Sequence, residues 1–576
     1  MNGGKIIAQQ LKEKGVKFLF TLCGGHVAPI YVEAEKAGIN VIDVRNEATA
    51  VFAADTVSRL TAVTGVAVVT AGPGITNSIT ALKNAQLAQS AVLVIAGATA
   101  TLLRNRGALQ DIDQVLIVKS LVKKIFTISR LKHLAPAVQK AMSVAGKGVP
   151  GPVFIECPVD LLYDEAIVRE WYLSISKKKN NSFKEKILQW YIGNHTNRLF
   201  KGTETNLLPA LKKTQSPPAS KLQLKKLAGM INQSTKPVLV VGSAAMADPG
   251  LAPELAEAIN RIGIPTYLSG MSRGLLGHNN SIHFHHKRKA ALKNADLIIL
   301  AGLPCDFRLN YGKELSHKAK KITLNLNKTE LRKNITPQQT IHCNPANCII
   351  SLQKEAIIWP TWIDWKKELK DQEIIRETEI AEMAAVKGKG INPVSLFQKM
   401  EQLLPENSIF ISDGGDFAAI SSYILHPRKP LSWLDSGVFG TLGVGAGFAL
   451  GAALCNPGDY VFIVYGDGSS GYSLIEFDTF TKLGLKICAI VGNNGSWEQV
   501  ARDQVTLLGA DTATTIPRSD YQMIAKSFGA NGERTETIND FEQAIKNAME
   551  SMDKGVPYLI NAIIESTSFR EGSISI

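Results

Sequence analysis

Three α/β domains, each built on a parallel sheet, are expected from this 576-residue sequence. The chain is too long for one hydrophobic core and fits several units of roughly 100 to 200 residues. Short, continuous apolar runs rich in β-branched residues recur along it, bounded by turn residues, which marks strands buried on both faces. Helix-like stretches separate these runs, and parallel strands need such crossover connections.

The strands can be taken in order. NVIDV (40–44), TGVAVVT (64–70), AVLVIAG (91–97) and GPVFIECP (151–158) belong to the first third. KPVLVVG (236–242), ADLIILAG (295–302) and KITLNLN (321–327) form the middle set. SIFISDGG (408–415), YVFIVYGDG (460–468) and KICAIVGNN (486–494) form the last. The expected division is an N-terminal domain over 1–165, a basic linker or insertion over 166–221, a central Rossmann-like domain over 222–357, a connector over 358–389 and a C-terminal domain over 390–576. VAVVTAGPG (66–74) and VFIVYGDG (461–468) echo each other, each running from a buried strand into a Gly-x-Gly turn.

Composition narrows the class. With 45% hydrophobic and 20% charged residues the chain reads as a soluble globular protein. Its formal charge of +13 is concentrated: residues 177–226 hold twelve Lys and Arg against Glu185 and Glu204, a net +10. KKKNNS (177–182) and KKTQSPPASK (212–221) are rich in turn residues, while FKEKILQWYIGN (183–194) between them suits a short helix. A solvated connector is expected, and no nucleic-acid motif accompanies it. Gly437 to Cys455 carries no charge and is long enough to span a bilayer, but its glycines predict a turn followed by a buried helix. Met1 to Gly15 is polar from the start, so no secretory signal is expected. The seven cysteines are scattered and odd in number, which suits a reducing, cytoplasmic setting.

The most informative stretch is GDGSSGYSLIEFDTFTKLGLKICAIVGNN (466–494). Open α/β sheets bind ligands at the carboxyl ends of strands, where glycines let backbone approach phosphate oxygens. A carboxylate there repels a diphosphate unless a hard cation lies between them, and magnesium takes oxygen ligands shared with phosphates. Asp467, an asparagine side-chain oxygen and a backbone carbonyl just beyond would give three protein positions. A helix-capping aspartate with a polar turn explains GDG alone, but not the pair of motifs.

With these residues the sequence resembles the thiamine diphosphate enzymes of the acetolactate synthase superfamily over nearly its whole length. The resemblance implies that Asp467, Asn494 and the Ser496 carbonyl hold Mg2+, with Gly415, Asp416, Phe417, Gly468 and Ser469 along the diphosphate. RNEATAVFAADTVSRL (45–60) matches the motif whose glutamate meets the aminopyrimidine, making Glu47 the catalytic acid. GTLG (440–443) matches the cofactor's central support, with Leu442 beneath it and the Gly440 carbonyl facing the exocyclic amine. Because this family sets that glutamate against the metal site of another subunit, the resemblance implies at least a homodimer, with a tetramer left open.

Substrate choice is where the sequence departs from biosynthetic acetolactate synthases. CGGHVAP (23–29) puts His26 where those enzymes have a small residue, which suggests substrate hydrogen bonding or proton transfer. In NNGSWEQVARDQ (493–504) Asp503 takes the place of the specificity tryptophan, and Trp497 does not replace it. Gln110, in RGALQDIDQ (106–114), is the candidate for touching substrate. GGHVAP, GMSRGLLG (270–277), CDFRLNYG (305–312), DGGDF (413–417) and FREGSISI (569–576) look like the branch that cleaves 2-hydroxyacyl-CoA to an aldehyde and formyl-CoA. An acetolactate synthase acting on 2-keto acids such as pyruvate is the alternative, and a non-catalytic cofactor-binding or basic scaffold protein is the alternative of another class. Relatives carry FAD, ADP or nothing in the central domain, which leaves its occupant open. IHFHHKRK (282–289) and HCNPANC (342–348) lack a four-ligand zinc spacing and read as structural or surface stretches.

Overall fold

The computed structural model describes residues 2–176, 183–202, 216–354 and 358–570. Two compact units make up the chain, Met1–Ser58 with Val63–Thr214 and Arg59–Ala62 with Gln215–Ile576. The three expected parallel sheets are present, one in the first unit and two in the second.

The first unit contains strands β1 (Phe18–Thr21), β2 (Asn40–Asp43), β3 (Gly65–Val69), β4 (Val92–Ala98), β5 (Lys124–Thr127) and β6 (Val153–Pro158) in the order β2-β1-β3-β4-β6-β5. Every pairing is parallel, with Phe20 opposite Ile42 and Leu19 opposite Val66. β3, β4 and β6 are buried throughout, which is why they read as unbroken apolar runs.

The central sheet comprises β7 (Pro237–Val241), β8 (Thr266–Leu268), β9 (Leu297–Ala301), β10 (Lys320–Asn325) and β11 (Gln339–His342), ordered β11-β10-β9-β7-β8. The last holds β12 (Ser408–Asp413), β13 (Trp433–Asp435), β14 (Tyr460–Gly466), β15 (Ile487–Asn493), β16 (Asn531–Thr535) and β17 (Tyr558–Ile563), ordered β13-β12-β14-β15-β17-β16. Counted from its own first strand, this order repeats that of the first sheet. The paired Gly-x-Gly turns are the local trace of that repetition, since each follows its sheet's third strand. In both sheets the order reverses between the first and third strands, and loops leaving the carboxyl ends there frame a crevice.

Several strands escape the apolar-run reading. β5 is short and half exposed at the edge of its sheet, so it carries little apolar signal. β17 (YLINAI) is fully buried but broken in sequence by Asn561, whose amide exchanges hydrogen bonds with Asn493, Ser519 and Gln522.

In the basic segment a helix runs from Phe183 to Phe200, beyond the expected 183–194, because Ile192, Leu199 and Phe200 join the first unit's core. KKKNNS (177–182), the first four residues of 212–221 and the last six of FREGSISI lie outside the described residues. Residues 358–389 include the helix Ile363–Ala385, tied to the central sheet by the Trp365 indole donating to the Pro237 carbonyl at 3.0 Å. Gly437–Cys455 forms a glycine turn and a twelve-residue buried helix, Val444–Cys455. Among the described residues no helix is long and apolar enough to cross a membrane.

Candidate active site

In the first unit the candidate residues gather where β1, β2, β3 and β4 end. Glu47 opens the helix Glu47–Thr61 directly after β2, is only 4% exposed, and accepts a 3.0 Å hydrogen bond from the Asn77 amide. His26 follows β1; its Nδ1 lies 3.5 Å from the Thr70 hydroxyl at the end of β3, and burial holds its imidazole below the usual histidine value. Gln110 has a left-handed backbone (φ 63°) and sits against Gly72, where an added Cβ would stand 3.0 Å from the Gln110 Cβ.

Gln114, four residues on, was not singled out in the sequence. It is buried, accepts from the Gly72 N–H (3.3 Å) and donates to the Gly97 carbonyl (2.8 Å) and Glu156 (3.2 Å). Glu156 is also paired with Arg104. The loop carrying Gln110 is thereby fastened to the ends of β3, β4 and β6.

The second unit contains a cavity of about 1160 Å3 that all the remaining candidates line: Gly415, Asp416, Phe417, Gly440, Leu442, Asp467, Gly468, Ser469, Asn494 and Ser496. That volume exceeds the roughly 300–1,000 Å3 of an ordinary small-molecule site. Gly415 (φ 83°) and Gly440 (φ 62°) both have backbone that disfavours side chains, and a Cβ on either would meet no protein atom within 4 Å. Gly415 opens the helix Gly415–Ile424, whose free N–H groups suit an anion. The Asp416 carboxylate is engaged with Arg502, leaving its backbone to face a ligand. Leu442 leans over Gly414, and the Trp497 ring stands where a Cβ on Gly468 would be, at 2.5 Å.

Asp467 is buried, and its carboxylate is held entirely by backbone N–H groups: Gly468 at 2.8 Å, Gly495 at 2.7 Å and Ser496 at 3.3 Å. Burial pushes its pKa above the usual carboxylate value, with these hydrogen bonds opposing the shift. Among the described residues no Lys, Arg or His forms an ion pair with it. Asn494 donates to Glu498 at 2.8 Å, which fixes the amide's orientation, and Glu498 also accepts from Ser566. This all-oxygen set around a buried, uncompensated carboxylate fits a hard divalent cation, and the glycine-lined wall beside it fits a diphosphate.

Asp413, the first residue of DGGDF (413–417), has a part that its motif does not announce. It ends β12 fully buried and accepts from the Gly443 and Gly445 N–H groups at 2.9 and 2.7 Å, anchoring the turn that presents Leu442. Burial raises its pKa to about 7. The native state therefore binds this proton more tightly than the unfolded chain, whose aspartate titrates near ~3.9. The associated stability is present below that unfolded value and is lost as pH rises toward 7. Thermal midpoints measured across this window should fall for the wild type relative to Asp413→Asn, and parallel profiles would refute the assignment.

The central domain supplies the cavity's other wall, including Arg273, His283, His285, His286, Arg288 and Arg308. The His283 and His285 rings lie 3.9 Å apart, and His426 of the last domain stands 4.3 Å from His285. Burial lowers His283 and His286 to about 4 and His285 further, so these imidazoles are neutral at pH 7. Arg308 is committed to Asp306 through bonds of 2.9 and 2.7 Å. Of IHFHHKRK, residues His283 to Lys289 line the cavity, and among the described residues no three His, Cys, Asp or Glu are placed to hold a metal ion. Asp503 lies half-buried on the helix Glu498–Leu508 and is not among the lining residues.

Comparison with known proteins adds independent findings. The model described as "Thiamine pyrophosphate enzyme, N-terminal TPP binding domain" matches residues 1–117. The corresponding central-domain model matches 224–352, and the C-terminal TPP binding domain matches 413–562. The chain is 44% identical to 2-hydroxyacyl-CoA lyase 2 of Danio rerio over all of its own length and 93% of that protein. It is 42% identical to 2-hydroxyacyl-CoA lyase 2 of Homo sapiens, over all of its length and 92% of that protein. To the acetolactate synthase large subunit IlvG of Mycobacterium tuberculosis it is 28% identical, over 98% of the chain and 96% of that protein.

Proposed function

Because the chain belongs to the thiamine pyrophosphate enzymes, we propose that it is a thiamine diphosphate- and Mg2+-dependent carbon–carbon lyase that cleaves 2-hydroxyacyl-CoA to an aldehyde and formyl-CoA. The observation that carries this reading is the whole-length likeness to proteins named 2-hydroxyacyl-CoA lyase 2 at 42–44% identity, against 28% for acetolactate synthase. Cleavage breaks the bond between the hydroxyl-bearing carbon and the thioester carbon. The hydroxyl proton leaves as the aldehyde forms, and the thioester carbon gains a hydrogen to become formyl. When bound, the cofactor supplies the electron sink that this bond cleavage needs.

The chain's own residues bind, orient and move protons. Asp467, the Asn494 side-chain oxygen and the Ser496 carbonyl would hold Mg2+, with Glu498 keeping the Asn494 amide turned the right way. Backbone of Gly415 to Phe417 and of Gly468 and Ser469 would take the diphosphate, while Leu442 and the Gly440 carbonyl would support the middle of the cofactor. Glu47 would hold a proton at the aminopyrimidine ring nitrogen. His26 and Gln110, near the same strand ends, would contact the substrate's hydroxyl and carbonyl. Glu47 and Asp467 belong to different units, yet one cofactor must meet both roles, and a homodimer with Glu47 supplied by the partner subunit is the simplest active assembly. A nucleotide in the central domain, FAD or ADP, would lie near Arg308 in the CDFRLNYG stretch, on that domain's side of the cavity. The seven free cysteines are compatible with a cytoplasmic location.

Purified protein supplied with thiamine diphosphate and Mg2+ is expected to release aldehyde and formyl-CoA from a 2-hydroxyacyl-CoA, and to make no 2-acetolactate from pyruvate. Acetolactate formation without acyl-CoA cleavage would overturn the substrate assignment. The visible absorption of the same preparation reports whether a flavin is bound.

A further inference from the structure

The helix Phe183–Phe200 is apolar on two sides. One side, with Ile192, Leu199 and Phe200, is buried in the first unit's core. The other carries Phe183, Ile187, Trp190 and Tyr191, spaced i, i+4, i+7 and i+8, so they form a single stripe pointing away from that core. Their exposures are 78%, 50%, 68% and 51%. A single exposed apolar residue is ordinary, but four aligned ones, two of them Trp and Tyr, mark a contact surface. The neighbouring helix Glu165–Ser176 adds exposed Ile167, Trp171 and Leu173.

Charge identifies the partner. The stripe is flanked and continued by exposed Lys186, Arg198 and Lys201. The helix holds a single acid, Glu185, which is half-buried. Apolar side chains bordered by lysine and arginine, with Trp and Tyr among them, are the composition of a helix that lies in a lipid headgroup layer. Anionic lipid would be attracted to these cations over a Debye length, an attraction that added salt screens. A two-fold contact with a second copy would instead set each cationic face against itself.

From these observations we infer that the outward face of the helix Phe183–Phe200 docks the protein peripherally on an anionic membrane surface. Trp190 and Phe183 enter the headgroup–acyl boundary, and the bordering cations meet lipid phosphate and carboxylate groups. The surface does not depend on which substrate the enzyme cleaves, and its test does not involve turnover.

The test is flotation of the full-length protein with phosphatidylcholine vesicles, with or without phosphatidylserine, at low and high salt. Wild-type protein is expected to float with the anionic vesicles at low salt, and to be released by salt or by omission of phosphatidylserine. Ile187→Ser with Trp190→Ser, and separately Lys186→Glu with Arg198→Glu and Lys201→Glu, should each lower the bound fraction at least tenfold. Unchanged circular dichroism would show that both variants fold. Brominated lipid should quench wild-type tryptophan fluorescence, and quench Trp190→Phe markedly less. Flotation unaffected by either variant, absence of binding at low salt, or dissociation of the native oligomer by Trp190→Phe in analytical ultracentrifugation would each overturn the inference, the last by assigning the face to a copy of the chain.

Discussion

Glu47→Gln is expected to lower kcat by about 10^2–10^4-fold, the range associated with loss of a positioned acid–base group. Glutamine matches the glutamate in size, and its carbonyl oxygen can still accept from the Asn77 amide, which donates to Glu47 at 3.0 Å. The 4%-exposed site therefore keeps its packing and its hydrogen bond, and the thermal midpoint should stay close to that of the wild type. What disappears is the ability to gain and lose a proton. Calorimetry should accordingly show thiamine diphosphate and Mg2+ binding within a few-fold of wild type while single-turnover rates collapse. A variant that turned over normally would remove Glu47 from the mechanism.

The motifs that sequence made legible are those whose chemistry dictates both residue type and position. Asp467 and Asn494 come at the ends of adjacent strands β14 and β15, so a carboxylate and an amide at those spacings had to converge. Gly415 and Gly440 were legible as motif glycines, and both line the cavity at a positive φ that strongly favours glycine. Residues acting through distant partners were not legible. Asp413 reaches Gly443 and Gly445 across thirty and thirty-two residues, and Gln114 meets Glu156 across forty-two. An aspartate closing a buried strand is a weak signal that something downstream needs its two acceptor oxygens. His285 and His426 are far apart in sequence and meet only because the central and last domains share a cavity wall. The outward stripe on Phe183–Phe200 was hidden for a related reason: the segment's charge suggested a solvated connector, and only the burial of Ile192 and Leu199 reveals which of its apolar faces is left over.

Asp467→Asn should separate the structural and metal-binding parts of the site. Both carboxylate oxygens accept from backbone N–H groups, one from Gly468 and the other from Gly495 and Ser496. An asparagine must turn its NH2 toward one of these donors, leaving a buried N–H without its acceptor at a cost of about 1–3 kcal/mol. The metal-free variant should therefore melt earlier than metal-free wild type. Removing the anionic ligand should also weaken Mg2+-dependent cofactor binding by at least ~100-fold, beyond what loss of an outer-shell partner causes. Ser496→Ala is the control, because Ser496 would serve through its carbonyl; binding within a few-fold of wild type is expected there. Wild-type binding by Asp467→Asn, or an equal loss in Ser496→Ala, would refute the metal assignment. The pH dependence has a definite sign. Burial raises the Asp467 pKa, so the metal-free protein loses this group's contribution to stability as pH rises from the unfolded aspartate value through the raised one. A cation binds the deprotonated carboxylate, so Mg2+ affinity should rise over that same interval and should begin to fail, on acidification, at a higher pH than an ordinary aspartate would allow.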